Sequence, residues 1–285
     1  MTVGAGGSGS QIDAAVVRRL MRHEAQVHAI PGRTLRDLGD SILLHDPVEL
    51  EPFWNRIEAI QWPTDTTGFD RRLAEVGVLF ASIGRQPHFW TLPPFDEPRD
   101  LIARLFANGF EDVGDGLVLA TSDAEAARDA LRRSPLPDGA HLDRFRAILG
   151  AEAARAADAI VAVLMAAFTV DPERHPGVVA ETLASLADPR FMHYLVRRDG
   201  MPVAVARRAT FDGISYLSSI GAVDAARGLG FGRYVTASAM VDAFAEGSEW
   251  VHLGVYADNL PARRLYESLG LQMAGEPGPD MILIG

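Results

Sequence analysis

Arg227-Gly228-Leu229-Gly230-Phe231-Gly232-Arg233 is the run on which the reading of this chain turns. It follows an apolar stretch with strand character, 214–223. It opens a helical pattern, 231–246, in which Tyr234, Ala237, Val241 and Phe244 share one face. Glycines at a strand-to-helix turn let backbone N–H groups approach an anion closely, and the helix N-terminus adds the positive end of its dipole. The combination favours a phosphate or pyrophosphate, against the plainer alternative of a tight turn that uses glycine only for its dihedrals. A dinucleotide fingerprint fits poorly. The spacing is G-x-G-x-G where G-x-G-x-x-G is needed, and the acidic residue near the right distance, Glu249, precedes its strand instead of ending it.

Downstream, 250–256 reads as a strand and leads to Asn259-Leu260-Pro261-Ala262-Arg263-Arg264-Leu265-Tyr266-Glu267-Ser268-Leu269-Gly270-Leu271. Here Asp258 or Asn259 caps a helix, Pro261 fits its first turn and Gly270 ends it. Beside Leu265 and Leu269, Tyr266 reads by itself as a core tyrosine. Together the two segments say more. Arg-x-x-Gly-x-Gly after a strand, then a strand leading into Asn, then Leu-Tyr-Glu-x-x-Gly-Leu resembles the GCN5-related N-acetyltransferase (GNAT) family, over 216–271 in motif and over 139–285 in strand order. The resemblance implies acetyl-CoA as cosubstrate, with no metal. Its pyrophosphate would lie on the backbone of Arg227, Gly228, Leu229, Gly230, Phe231, Gly232 and Arg233. Backbone groups of Ile220, Gly221 and Ala222 would pair with the pantetheine arm and the acetyl carbonyl, Asn259 would hydrogen-bond the arm, and Tyr266 would protonate the departing thiolate.

Acetyl transfer to an amine needs the donor held in line, the oxyanion stabilised and a neutral nitrogen. A phenol near the sulfur supplies the leaving-group proton. The general base is less evident. Many protein N-terminal and ribosomal-protein acetyltransferases read Leu-Glu-Val on the strand before the Asn, whereas this chain reads Leu253-Gly254-Val255. Strand alternation places Trp250, His252, Gly254 and Tyr256 on one face, which makes His252 a candidate base, directly or through water. A structural histidine, or deprotonation by water with no dedicated side chain, are the alternatives. For the acceptor, Asp171 and Glu173 in the segment 169–176 would attract a cationic amine, although a solvated charged loop explains them as well.

Composition sets the outer bounds. The chain has 285 residues, no cysteine, and 27 basic residues that are all arginine. Disulfides, thiolate zinc sites, acyl-cysteine intermediates, a Walker lysine and Schiff-base chemistry are thereby excluded. A net charge of −11 argues against nucleic acid and anionic membranes as partners. The longest apolar run, 159–168, is too short to span a bilayer, and residues 1–10 read as a flexible Gly/Ser lead-in without signal-peptide character. A soluble, cytoplasmic protein is expected, its oligomeric state open.

Before the Pro/Gly cluster 134–139 the pattern is helix 12–29, strands 41–48 and 53–62, helix 69–83, strand 86–92, helix 98–108, strand 116–121 and a charged stretch 122–133. After it come strand 140–146, helices 151–168 and 178–186, strands 191–198, 202–210 and 214–223 with hairpin signals at Asp199-Gly200 and Asp212-Gly213, and a last strand 281–284. Each half runs strand, helix, strand, Gly-ended helix, strand. Matching Gly109 to Gly270 sets Pro98 against Asn259 and Leu105 against Tyr266, while Asp65 and Asp70 lie where phosphates would sit. The expectation is an α+β (α/β) fold of two GNAT-like domains, each a mixed, mostly antiparallel sheet flanked by helices. Residues 1–134 would be a degenerate copy that walls the acceptor site, and 135–285 the catalytic domain of an N-acetyltransferase acting on a small or peptidic amine. A non-catalytic acyl-CoA sensor and a nucleotide-binding protein are the alternatives.

Overall fold

The computed structural model describes residues 12–30, 32–93 and 95–284; the Gly/Ser lead-in expected at 1–10, and Pro94, lie outside them. In chain order the elements are α1 (Ala14–Ala29), β1 (Thr34–Asp37), β2 (Ile42–His45), β3 (Arg56–Glu58), α2 (Thr66–Ser82), β4 (His88–Trp90), α3 (Leu101–Ala107), β5 (Phe110–Thr121) and α4 (Ala124–Arg132). They continue with β6 (Ala140–Phe145), α5 (Gly150–Ala167), α6 (His175–Ala187), β7 (Phe191–Arg198), β8 (Met201–Phe211), β9 (Ile214–Ala222), α7 (Phe231–Ala245), β10 (Trp250–Tyr256), α8 (Leu260–Ser268), β11 (Gln272–Met273) and β12 (Gly278–Leu283). Short polar side chains start several of the helices. Asp13 accepts from Ala15 N, Asp65 from Gly68 N, Asp123 from Ala126 N and Asn259 from Ala262 N. The hairpin turns adopt the positive φ expected of them, at Asp199 and Gly200 and again at Asp212 and Gly213.

The fold is mixed α/β with a central mixed sheet flanked by helices. Its strands form one continuous sheet in the order β1-β2-β3-β4-β12-β5-β10-β9-β8-β7-β6, with β11 paired to β5. Among the strand pairs of the described residues only β3/β4 and β9/β10 are parallel, and each of these pairs is joined through one helix, α2 or α7. The two sheets expected from the sequence therefore run together, and the chain crosses between them twice. β5, from the first half, pairs with β10 over Gly116 to Thr121, and the C-terminal β12 inserts between β4 and β5.

Strand alternation separates the faces. On β8, Ala204 and Ala206 pack with α7 residues such as Val235 and Met240, whereas Val205 packs with Ile160 of α5 and Leu186 of α6. On β5, Leu119 belongs to the α7 side, and Val118 and Ala120 meet Val17 and Leu20 of α1. So α1, α5 and α6 cover one face and α7 and α8 the other.

Three local expectations are corrected. The stretch 53–62 is not one strand, because Pro52–Trp54 makes a 3-10 turn before the three-residue β3. The charged stretch 122–133 folds as α4, burying Ala127 and Ala130 against α7. The strand expected at 116–121 starts at Phe110. Among the described residues no helix is long and apolar enough to cross a membrane.

Candidate active site

β9 and β10 part company at the site. Their parallel pairing covers Trp250–Ile214, Val251–Ser215 and His252–Tyr216 and extends no further. Beyond it, β9 carries a bulge at Ser219, whose φ is +52°, and its register against β8 shifts between Val205 and Arg207. The strand edge holding Ile220, Gly221 and Ala222 is left half-buried, unpaired by β10. Gly221 is required there by packing, since a Cβ would come within 2.8 Å of Ala167 Cβ and 3.1 Å of the Phe168 ring at the end of α5.

The glycine loop follows. Gly228 and Gly230 have φ of +75° and +90°, and a Cβ on either would meet nothing within 4 Å. The loop is thus open to an incoming group, not filled by its own chain. Gly230 caps α7 without a side-chain bond, and Tyr234 N donates to Gly230 O at 2.9 Å. The earlier amides of Phe231, Gly232 and Arg233 point out of the helix end without acceptors among the described residues. Arg227 anchors the loop by donating to Ala167 O at 2.8 Å and pairing with Asp224. Arg233 reaches Ser268 of α8, and a Cβ on Gly232 would lie 3.7 Å from Leu265 Cδ1. The loop, the free edge of β9 and the helix carrying Tyr266 are therefore one assembly.

Tyr266 is buried on the α7 face among Leu253, Leu269 and Leu119, and its hydroxyl has no hydrogen bond among the described residues. Burial pushes its pKa up to about 12, so the phenol is fully protonated at neutral pH. Asn259 uses its side-chain oxygen to cap α8, 3.3 Å from Ala262 N, and stays exposed. His252 is fully buried on the opposite face, 3.2 Å from His23 Nδ1 through its Nε2. Burial first, then the neighbouring His23 and His28, hold it well below the usual histidine range. Asp171 caps a short turn at Glu173 N, and Glu173 lines a cleft of about 580 Å³ that also takes in Arg33, Asp46 and Trp54 from the first half. Both halves wall that cleft.

The stretch from 157 to 271 matches the model of the acetyltransferase (GNAT) family. It is a GNAT domain. A GCN5-related N-acetyltransferase from Kribbella flavida superposes with a TM-score of 0.68 at 23% identity over 97% of both chains. One from Sphaerobacter thermophilus gives 0.61 at 15%, covering 88% of this chain and 83% of that one. A tandem GNAT protein from the clavulanic acid biosynthesis pathway gives 0.62 at 14%, covering 98% and 96%. At these identities the likeness is one of fold, and it extends beyond the GNAT domain into the first half. No curated protein matches the chain in sequence.

Around the face of the GNAT domain opposite Tyr266 lies a group of buried ionisable side chains that the sequence reading missed: Glu24, Arg56, Glu58 and Asp280. One signal was available. Val17, Leu20, Glu24, Val27 and His28 fall on one stripe of α1, which places a carboxylate at a core position of an amphipathic helix.

Proposed function

We propose that the protein is an acetyl-CoA-dependent N-acetyltransferase that moves the acetyl group directly to an amine, on a small molecule or a peptide. The observation that carries this reading is the open cradle of Gly228 and Gly230 at the uncapped start of α7, beside a strand edge freed by the β9/β10 splay. In this reading 135–285 is the catalytic unit and 1–134 a degenerate GNAT-like copy that helps form the acceptor side.

The residues fit such a cosubstrate. The amides of Gly228 through Arg233 would hold its pyrophosphate, supported by the α7 dipole and by Arg227. Backbone groups of Ile220, Gly221 and Ala222 would align its pantetheine arm as an added strand, with Asn259 at the far side of the cleft. When bound, it supplies an activated thioester carbonyl. The free amides of the β9 edge are donors for the oxygen as charge develops there. Tyr266, protonated and without a partner among the described residues, holds the proton that the sulfur needs.

Calorimetric titration with acetyl-CoA, followed by thiol release across a panel of amines, tests the proposal. Binding with turnover on at least one amine is expected. Gly254, standing where a carboxylate would be expected, favours a second reading, an acyl-CoA sensor; tight binding with no thiol release on any amine would establish it.

A further inference from the structure

Gly254 leaves a gap on the face that an acceptor would approach, and the gap is occupied from elsewhere in the chain. A Cβ on Gly254 would lie 3.5 Å from the Tyr216 hydroxyl, 3.6 Å from Glu24 Oε1 and 3.6 Å from Trp90 Cη2. A glutamate on the strand would carry its own carboxylate at a similar reach. Tyr216, on β9, donates to Glu24 Oε1 at 3.1 Å. A cavity of about 120 Å³ opens at this point, lined by Tyr216, Gly254, Trp90, Phe53, Tyr256 and Asp280. Glu24 has no solvent exposure, yet its Oε2 has no hydrogen bond among the described residues; Trp90 Nε1 is likewise buried without one, and Asp280 Oδ1 has only His88 Nε2 beside it, at 3.5 Å. A purely structural carboxylate in the core would have its lone pairs satisfied.

We propose that Tyr216 and Glu24 form the proton relay for the acceptor amine, with α1 of the first half supplying the carboxylate that β10 lacks. The inference rests on the N-acetyltransferase reading. The acceptor enters as a neutral amine. As its nitrogen bonds to the acetyl carbon and the carbon–sulfur bond breaks, the nitrogen passes a proton to the Tyr216 oxygen, which passes its own to Glu24. The sulfur takes the Tyr266 proton, and exchange through solvent returns the proton from Glu24 to the Tyr266 phenolate. The two ends lie on opposite faces of β10, since Leu253 packs with Tyr266 and Gly254 looks toward Tyr216.

Tyr216 touches the acceptor and is the catalytic residue; Glu24 acts through it. Burial and the Glu24 charge raise the Tyr216 pKa well above the usual phenol range, so it cannot ionise alone and needs a proton sink. Burial pushes Glu24 up to about 7 against the pull of Arg56, 4.0 Å away, leaving the carboxylate partly ionised at neutral pH. The groups acting on it are Arg56 and Glu58 on β3, Asp280 on β12, Tyr216 on β9 and His28 on α1, whose Nε2 lies 3.3 Å from Glu24 Oε1; His252 of β10, paired with His23, packs on the Tyr216 ring, and Arg207 of β8 acts on Tyr216 and His28. Glu58, which shares Arg56 with Glu24, is also pushed up to about 7, so the two titrate as a coupled pair.

The test is the pH profile of kcat/KM with three variants and one rescue. Wild type should lose activity as the pH falls through about 7. Glu24→Gln should lower turnover at least ~100-fold and abolish that limb, with acetyl-CoA affinity unchanged by calorimetry. Tyr216→Phe, which removes one oxygen, should lose as much. Glu58→Gln should move the limb to lower pH, because Arg56 then serves Glu24 alone. Adding Gly254→Glu to Glu24→Gln should restore turnover by returning a carboxylate from the strand. Independently of activity, carboxyl-carbon NMR should show two buried glutamates titrating near 7, of which Glu24→Gln leaves only Glu58, moved to lower pH by loss of the Glu24 charge. Wild-type turnover and an intact limb in Glu24→Gln, or in a folded Tyr216→Phe, overturn the relay alone. Failure of wild type to bind acetyl-CoA overturns the functional reading and the relay with it.

Discussion

Tyr266 holds a hydroxyl without a partner among the described residues, near the end of a helix tied to the glycine loop, and burial keeps its proton in place at neutral pH. If its task is to protonate the leaving sulfur, Tyr266→Phe should lower kcat by ~10²–10⁴-fold and leave acetyl-CoA affinity nearly unchanged, as measured by steady-state kinetics beside calorimetry. Wild-type turnover in that variant would return the residue to the core. Tyr266, Asn259 and the glycines were legible in the sequence because their signals are local: fixed spacings in one strand-turn-helix and one capped helix. Glu24 was not. Its role depends on Tyr216, Arg56 and Gly254, which reach it from β9, β3 and β10, and no spacing within α1 encodes those neighbours. The bulge at Ser219 was equally silent, since Ser218-Ser219-Ile220 contains no glycine to announce a positive φ.

At the scale of the element, α7 and its loop permit a separation of binding from folding. Position 232 lies in the first helical turn, where a Cβ makes only ordinary contact with Leu265. A glutamate there adds negative charge to the helix N-terminus, which by itself stabilises the helix by roughly 0.3–1 kcal/mol. The same charge repels a pyrophosphate. Gly232→Glu should therefore keep or slightly raise the melting temperature while weakening acetyl-CoA at least ~10-fold; equal affinity in the two proteins would remove the cradle from the site. Elements with a clear apolar period, such as α5, α7 and β7 to β10, were readable from sequence to within a few residues. α4 was missed because its buried face is two alanines amid charge, too small to register as a stripe. The four-residue β1, largely exposed, offers no alternation to read.

Over the whole molecule, the crossing of β5 and β12 makes the two halves interdependent, and no sequence pattern could reveal it, because partner choice between strands is a long-range property. An ion-pair network also joins them. Glu181 of α6 accepts from Arg207 at 2.8 Å and from Arg33 of the first half at 3.0 Å. Burial alone would raise its pKa, but the two guanidinium groups outweigh it and lower the value to about 2. A carboxylate depressed in this way stabilises the fold above its unfolded value near 4.5 and loses that contribution as the pH drops toward 2. Glu181→Gln should cost on the order of 3 kcal/mol at pH 7 and flatten the acid dependence of stability, as read by denaturant unfolding at pH 7 and pH 3. The last expectation concerns stoichiometry. β3-α2-β4 repeats the parallel strand-helix-strand arrangement of β9-α7-β10, so each half has a helix start of the kind that can receive a pyrophosphate. At α7 that start is open. At α2 it is closed: the Asp65 carboxylate bonds to Gly68 N at 2.8 Å, and a Cβ on Gly68 would meet Asp65 Oδ2 and Pro63 Cβ at 2.7 Å. An anion arriving there would face a carboxylate already holding the amide it needs, and displacing it would leave two like charges at one helix end. Calorimetry should accordingly give one acetyl-CoA per chain, weakened by Gly232→Glu and indifferent to Asp65→Asn, whereas two equivalent sites would mean that both helix starts bind.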